Sequence, residues 1–195
     1  MVIGVTGRYC AGKNLAAGVL GKRGFVVVDV DKIGHRVLEQ EKQKVIAEFG
    51  DTILDNNGEV DRRKLGKLVF AGKKNRLRLE EILHPLMKTQ INRILENKAQ
   101  DYVLNAALLF RMDLHLLCDF VIVIKAPFFV RLQRALRRDG LSIPSLLQRF
   151  LAQRRIFPKL KTKGVDIYYE YNKGSAEMLA VRITAILRKR KTAEG

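Results

Sequence analysis

An α/β fold built on a central, mostly parallel sheet is predicted by three features of the 195-residue sequence. A short apolar strand opens the chain and runs directly into a glycine-bracketed turn and a helical pattern. A second strand and helix follow at once. Short apolar runs separated by helical stretches then resume in the second half of the chain. This alternation is what parallel strands joined by crossover helices require.

The elements follow in order from their periodicity. Residues 2–5 read as a buried strand, residues 7–12 as a turn, and Leu15, Ala16, Val19 and Leu20 as the apolar face of the next helix. Residues 25–28 form a second strand ending in Asp29, Val30 and Asp31, and a single helix is expected over residues 32–49, with Ile33, Val37, Val45 and Phe49 inward. A turn at Asn56, Asn57 and Gly58 breaks the alternation. Helices are expected over residues 61–70 and 75–95, the second interrupted at His84 and Pro85, because proline removes an amide donor and crowds the preceding turn. Residues of about 58–100 therefore read as a helical insertion. Strands return at residues 102–109 and 119–125, then a basic helix at 127–139, a segment rich in Arg and Lys, a strand at 165–169 and a helix at 175–190. With no repeat and no low-complexity linker, residues 1–195 read as one domain.

Composition narrows the functional classes. No apolar run reaches the eighteen or so residues of a membrane span. Gly4, Thr6, Gly7 and Arg8 interrupt any secretory h-region, so the cytoplasm is the expected address and no membrane partner is expected. Cys10 and Cys118 stand far apart with neither zinc nor C-x-x-C spacing, which argues against a disulfide framework. The net charge of +17 calls for polyanionic partners such as nucleotides, nucleic acid or anionic surfaces. No nucleic-acid reading motif or aromatic-basic interleaving accompanies that charge, so nucleic acid is disfavoured.

The chemistry is concentrated in the first turn. Gly7, Arg8, Tyr9, Cys10, Ala11, Gly12, Lys13 and Asn14 fit G-x-x-x-x-G-K-[ST] except at the last position. Glycines let backbone amides curl around a phosphate, the helix N-terminus adds positive potential, and Lys13 can reach the β- and γ-phosphates. Asn14 replaces the hydroxyl that ordinarily ligates Mg²⁺, and its carbonyl is a neutral oxygen that could coordinate directly or through water. Cys10, near a helix N-terminus and Lys13, reads either as a small loop residue or as an activated thiol.

Asp29 and Asp31 lie at the carboxyl end of the second strand, where open α/β sheets place ligands. If that strand end is extended, both point the same way and one could take a proton from an attacking hydroxyl; alternatively Asp31 caps the following helix. Between residues 131 and 163 there are ten Lys or Arg against one acid, Asp139. Arg134 and Arg138 share a helix face at i, i+4, where like charges want a counterion, so this segment reads as an anion-closing lid or as a solvated basic face.

These motifs, taken in order, resemble the dephospho-CoA kinase family. The resemblance covers nearly the whole chain and is carried by residues 3–13, Asp29 and Asp31, Phe49-Gly50, Ile53-Leu54, Gly58 with Asp61-Arg62, Leu65-Gly66, Val69-Phe70, Leu79-Glu80 and Ile82-Leu83-His84-Pro85. It continues through Leu108-Leu109-Phe110, Arg134, Arg138, Arg149 with Gln153, Lys159, and Asn172 with Gly174.

The resemblance implies a P-loop kinase three-layer fold with a central mostly parallel sheet, a helical substrate-binding insertion over about residues 58–100 and a basic lid over about 134–163. It implies transfer of phosphate from ATP, with Mg²⁺, to the ribose 3′-hydroxyl of dephospho-CoA. Gly7 through Asn14 together with Leu15, Arg138 and Asn172 would hold ATP, with Asn172 near the adenine. Lys13, Asp31 and Arg138 would be catalytic, Asp31 orienting or deprotonating the hydroxyl. Asp31, Arg62 and His84 would meet the CoA substrate, and Asn14 would stand at the metal.

Local readings remain beside these, since His84-Pro85 can be only a helix break and Asp61 only an N-cap. The chain departs from the family pattern at Asn14, at Cys10 for a loop glycine, at Ala107 for a proline, at Arg111 for a glutamate, and in a stretch from 166 to 172 that is one residue long. Alternatives are a kinase of the same architecture with another acceptor and a nucleotide-binding protein with weakened chemistry.

Overall fold

The computed structural model describes residues 1–139, 146, 150 and 164–193, and of residues 70, 139 and 191–193 the backbone alone. The chain divides into two compact units, one of residues 1–29 with 98–195 and one of residues 30–97.

The first unit holds a five-stranded sheet in which every pairing is parallel. Its strands are β1 (Val2–Gly7), β2 (Val26–Asp29), β3 (Tyr102–Asn105), β4 (Phe120–Lys125) and β5 (Asp166–Tyr171), in the order β2-β3-β1-β4-β5. β1, β3 and β4 read as near-continuous apolar runs because a central parallel strand is covered on both faces, and all three are buried almost throughout. Helix α1 (Lys13–Gly21) and the C-terminal helix, Ala176–Ala193, bury Ala16, Ala17, Leu20, Leu179 and Ile183 against Ile3, Val5, Val103, Phe120 and Ile122.

β1 is followed in sequence by β2, yet β3 lies between them, and the chain later crosses to β4 on the other side of β1. The strand order therefore reverses beside β1. Open α/β sheets bind ligands outside the carboxyl ends of strands at such a switch point, which is where the Gly7–Gly12 turn emerges.

Two sequence expectations for this unit need adjustment. The strand expected over residues 102–109 ends at Asn105 and gives way to a turn-rich stretch. The strand expected at 165–169 runs on as Asp166–Tyr171, since its alternating exposure continues through Tyr169 and Tyr171.

The second unit is helical: α2 (Val30–Gln40), α3 (Lys42–Phe49), α4 (Arg62–Ala71) and α5 (Lys73–Leu95). It starts earlier than the insertion read from the sequence, because α2 packs against α5. At their crossing Gly34 lets Met87 approach, and a Cβ there would lie 3.1 Å from the Met87 methyl. Leu38, Val45, Ile53, Leu65 and Val69 form the core, with Ile82 and Leu83 against it.

The helix expected over residues 32–49 is two helices that meet at Glu41. The break expected at Pro85 is absent. Pro85 is exposed, so the carbonyl it leaves unpaired can turn to water, while Met87, Ile91 and Leu95 bury the rest of the helix. Asp61 does cap α4, its carboxylate accepting from the amides of Arg63 at 2.7 Å and Lys64 at 3.2 Å. Those two amides hold its carboxyl below the usual range.

Helix α6 (Phe128–Asp139) leaves β4. The lid expected over about 134–163 lies, beyond residue 139, outside the described residues apart from Leu146 and Phe150; Arg149, Gln153 and Lys159 lie there too.

Candidate active site

The turn after β1 is shaped by three positions. Gly7 passes so close to β4 that a Cβ would sit 2.7 Å from the Ile124 carbonyl oxygen. Gly12 takes φ +106°, and a Cβ there would lie 2.2 Å from the Asn172 side-chain nitrogen. Cys10 adopts φ 57°, a left-handed conformation that glycine enters freely and a side chain enters at a cost of roughly 1–2 kcal/mol. The Ala11 amide donates to the Arg8 carbonyl at 2.9 Å, closing the curl, and α1 begins at Lys13.

The rim of this loop is held from the far side of the chain. Asn172, 3% exposed at the end of β5, donates through Nδ2 to the Ala11 carbonyl at 2.8 Å. Its Oδ1 accepts from Arg134 at 3.2 Å, and its backbone amide donates to Lys125 O at 2.7 Å. Arg134 also reaches the Ala11 and Asn172 carbonyls at 3.5 Å each. Asn172 thus braces the phosphate loop itself.

The arginines of α6 converge on the same loop. Arg138 sits over the Tyr9 ring at 5.1 Å, and Tyr9 meets Phe150 edge-on at 5.5 Å. Arg131, only 6% exposed, donates to the Ala126 carbonyl and lies 4.9 Å from the Phe150 ring centre. Burial, and after it the charge of Arg8, pull its guanidinium below the usual range. Arg134 was singled out in the sequence with Arg138 on one helix face, whereas Arg131 was legible only as a member of a basic stretch.

On the sheet side, Asn105 ends β3, the strand beside β1, and donates through Nδ2 to Asn14 Oδ1 at 3.2 Å. Asn105 is 3% exposed, and its Oδ1 is buried without a hydrogen-bond partner among the described residues. P-loop NTPases hold Mg²⁺ with the hydroxyl after the loop lysine and with an aspartate. Here the residue after the lysine is an asparagine whose carbonyl is engaged, and the group it meets at the end of the neighbouring strand is a second neutral amide.

This pair does not fit a magnesium ion held directly by the protein, which favours anionic oxygen in a tight octahedral shell. The acid in register with Asn105, Asp29, ends the next strand out, one spacing of about 4.8 Å further from β1. The Asn14 carbonyl, expected at the metal, accepts the hydrogen bond from the Asn105 amide. Asn105 was missed in the sequence, where its one signal is a polar residue closing an apolar strand.

Asp31, Arg62 and His84 lie in the helical unit, and Leu15 lies in the sheet unit. β2 ends at Asp29 and α2 begins at Val30, so Asp31 stands exposed in the first turn of a helix. The expectation that Asp29 and Asp31 share one face of an extended strand fails, because the backbone turns helical between them. Arg62, in the first turn of α4, is exposed and pairs with Glu39 of α2 at 2.8 Å. His84 is half-buried midway along α5. Leu15 is exposed in the first turn of α1.

Comparison with known proteins bears on this arrangement as a whole. The family described as CoaE, dephospho-CoA kinase, matches residues 1–170.

The chain belongs to the dephospho-CoA kinase family.

Its relatives in that family include the dephospho-CoA kinase of Borreliella burgdorferi, 35% identical over 88% of this chain and 80% of that protein. That of Carboxydothermus hydrogenoformans is 34% identical over 96% of this chain and 93% of that protein. Among solved structures, a Thermus thermophilus protein superposes with a TM-score of 0.80 at 28% identity, covering 97% of each chain. The dephospho-CoA kinase of Campylobacter jejuni superposes with a TM-score of 0.66 at 24% identity, covering 100% of this chain and 98% of that one, and supports the fold. The P-loop, the parallel sheet and the family match agree, and a kinase of another acceptor class is not favoured.

Proposed function

We infer that this chain transfers the terminal phosphoryl group of ATP to the ribose 3′-hydroxyl of dephospho-CoA, giving coenzyme A and ADP. The observation that carries this reading is the family match across residues 1–170, which includes a phosphate loop braced by buried side chains.

Each residue has a part in the reading. The amides of the loop from Gly7 to Gly12 and the N-terminus of α1 bind the ATP phosphates, and Lys13 neutralises charge building on the transferred group. Arg138, with Tyr9 beneath it, closes on the nucleotide. Arg8, Cys10, Ala11 and Asn14 line the loop, and Asn172 fixes its curl from behind.

Asp31 accepts the proton of the attacking hydroxyl. The hydroxyl oxygen bonds to the γ-phosphorus as the bond to the β,γ-bridging oxygen breaks, and ADP departs with that electron pair. Arg62 and His84 bind the CoA substrate. Magnesium would supply charge neutralisation on the ATP phosphates, beside Lys13 and Asn14. Among the described residues no helix is long and apolar enough to cross a membrane, and the reading places the enzyme in the cytoplasm with its substrates.

The test is a coupled assay with purified protein, ATP and dephospho-CoA, run beside adenosine and other nucleoside acceptors. Phosphorylation of dephospho-CoA at the 3′ position, read by mass spectrometry, is expected. Preference for another acceptor overturns the assignment.

A further inference from the structure

The reading above has ATP in the loop, and the following inference rests on it. In an ordinary P-loop the hydroxyl and the strand-end acid both engage the metal, so metal and nucleotide bind cooperatively, each strengthening the other by the same factor. The acid has a second consequence. Without a metal between them its charge repels the phosphates, and metal-free ATP is penalised.

This chain has replaced both contributions with amides. Asn105 Nδ2 donates to Asn14 Oδ1 at 3.2 Å, so each side chain satisfies part of the other and neither carries charge. Turning Asn14 Oδ1 away toward a cation would strip the 3% exposed Asn105 amide of the one partner it has among the described residues. The buried Asn105 Oδ1 still lacks a donor among the described residues, and a water carried in with the nucleotide satisfies it more readily than a phosphate oxygen, which only accepts. Asp29, the acid in register, is a strand further out.

We propose that the Asn14–Asn105 amide pair uncouples nucleotide binding from a protein-held divalent ion, so that the loop takes ATP nearly as well without Mg²⁺ as with it. Asn105 is then a positioning residue, setting the orientation of Asn14 and the neutrality of the floor of the site. The departure at position 14 is matched by an amide partner 91 residues away.

The test is calorimetric titration of the full chain with the non-hydrolysable β,γ-imido analogue of ATP, in EDTA and in excess Mg²⁺, without acceptor. The parent is expected to show dissociation constants within about threefold of each other. Asn105→Asp is expected to open a gap of about tenfold or more by weakening metal-free binding, and Asn14→Thr to open one by strengthening metal-bound binding. Having two variants keeps the test valid if one folds poorly, which circular dichroism reports. A gap of tenfold in the parent, or variants whose gap equals that of the parent, overturns the proposal. Absence of analogue binding in both conditions overturns the P-loop reading instead.

Discussion

The two units of this chain hold their functional residues in opposite ways. In the sheet unit the phosphate loop is fixed through two buried amides, Asn172 on the Ala11 carbonyl and Asn105 on Asn14, with half-buried Arg134 on Asn172. In the helical unit Asp31 and Arg62 are exposed, on first turns of helices, and the charged contacts described there are surface pairs such as Arg62 with Glu39 and Arg78 with Glu48. A buried polar contact that loses its partner leaves a desolvated group behind, whereas an exposed one is replaced by water. Substitutions of the buried amides that brace the loop should therefore affect stability and function together, and those of exposed residues should separate them.

Lys13→Ala sets the upper end of that contrast. It is expected to lower kcat/KM for ATP by about a hundredfold or more while the circular dichroism spectrum is retained, because it removes charge stabilisation in the transition state. Retained activity would break the loop's claim to the chemistry. Asp31→Asn is expected to lower kcat on the order of a hundredfold with ATP affinity nearly unchanged, as loss of a general base does. Steady-state kinetics with a separate ATP titration distinguish the two, and equal losses in rate and affinity would make Asp31 a holding residue.

Asn172→Ala tests the coupling of stability to function directly. It removes the 2.8 Å donor to the Ala11 carbonyl and one of the acceptors of Arg134, so unfolding free energy should fall by about 1–3 kcal/mol and the ATP dissociation constant should rise severalfold. Denaturant titration and calorimetry read the two effects. Arg62→Ala is the opposite case: its pair with Glu39 is exposed, stability should change by less than about 1 kcal/mol, and the KM for dephospho-CoA should rise.

The smallest effect is expected at Asp61. Its carboxyl is held below the ordinary value of 3.8 by the amides it accepts from, so its contribution is present above that value and is lost as pH falls through the folded-state pKa. Asp61→Ala should lower Tm slightly at pH 7, and the difference from the parent should shrink as pH falls below 3.8. A difference that is constant with pH would assign the effect to something other than the charged cap. Cys118 offers a control in the other unit. Burial, and then Asp119, push its thiol up to about 12, so thiolate-directed reagents should leave it unmodified at pH 8 while the fold is intact.

The parts legible in the sequence were those encoded over a few residues. The loop from Gly7 to Asn14 announces itself because phosphate binding needs glycines, a lysine and a helix start at fixed spacing, and the apolar runs of β1 and β4 record burial on both faces. The Asp61 cap is likewise local. Where the reading went astray, packing had overruled a local rule. Pro85 sits inside a continuous helix because Met87, Ile91 and Leu95 bury the turns beyond it, and Asp31 left the strand because α2 begins one residue earlier.

By itself, then, the sequence determined an α/β chain with a phosphate loop and its family, since those follow from residue types at short, periodic spacing. What holds the loop was decided only in three dimensions. Asn172 reaches Ala11 across 161 residues and Asn105 reaches Asn14 across 91, contacts that exist because β3 and β4 flank β1 and β5 pairs with β4. No periodicity along the chain records such pairs. They arise from strand order, and a buried amide reveals its purpose only when its partner is beside it.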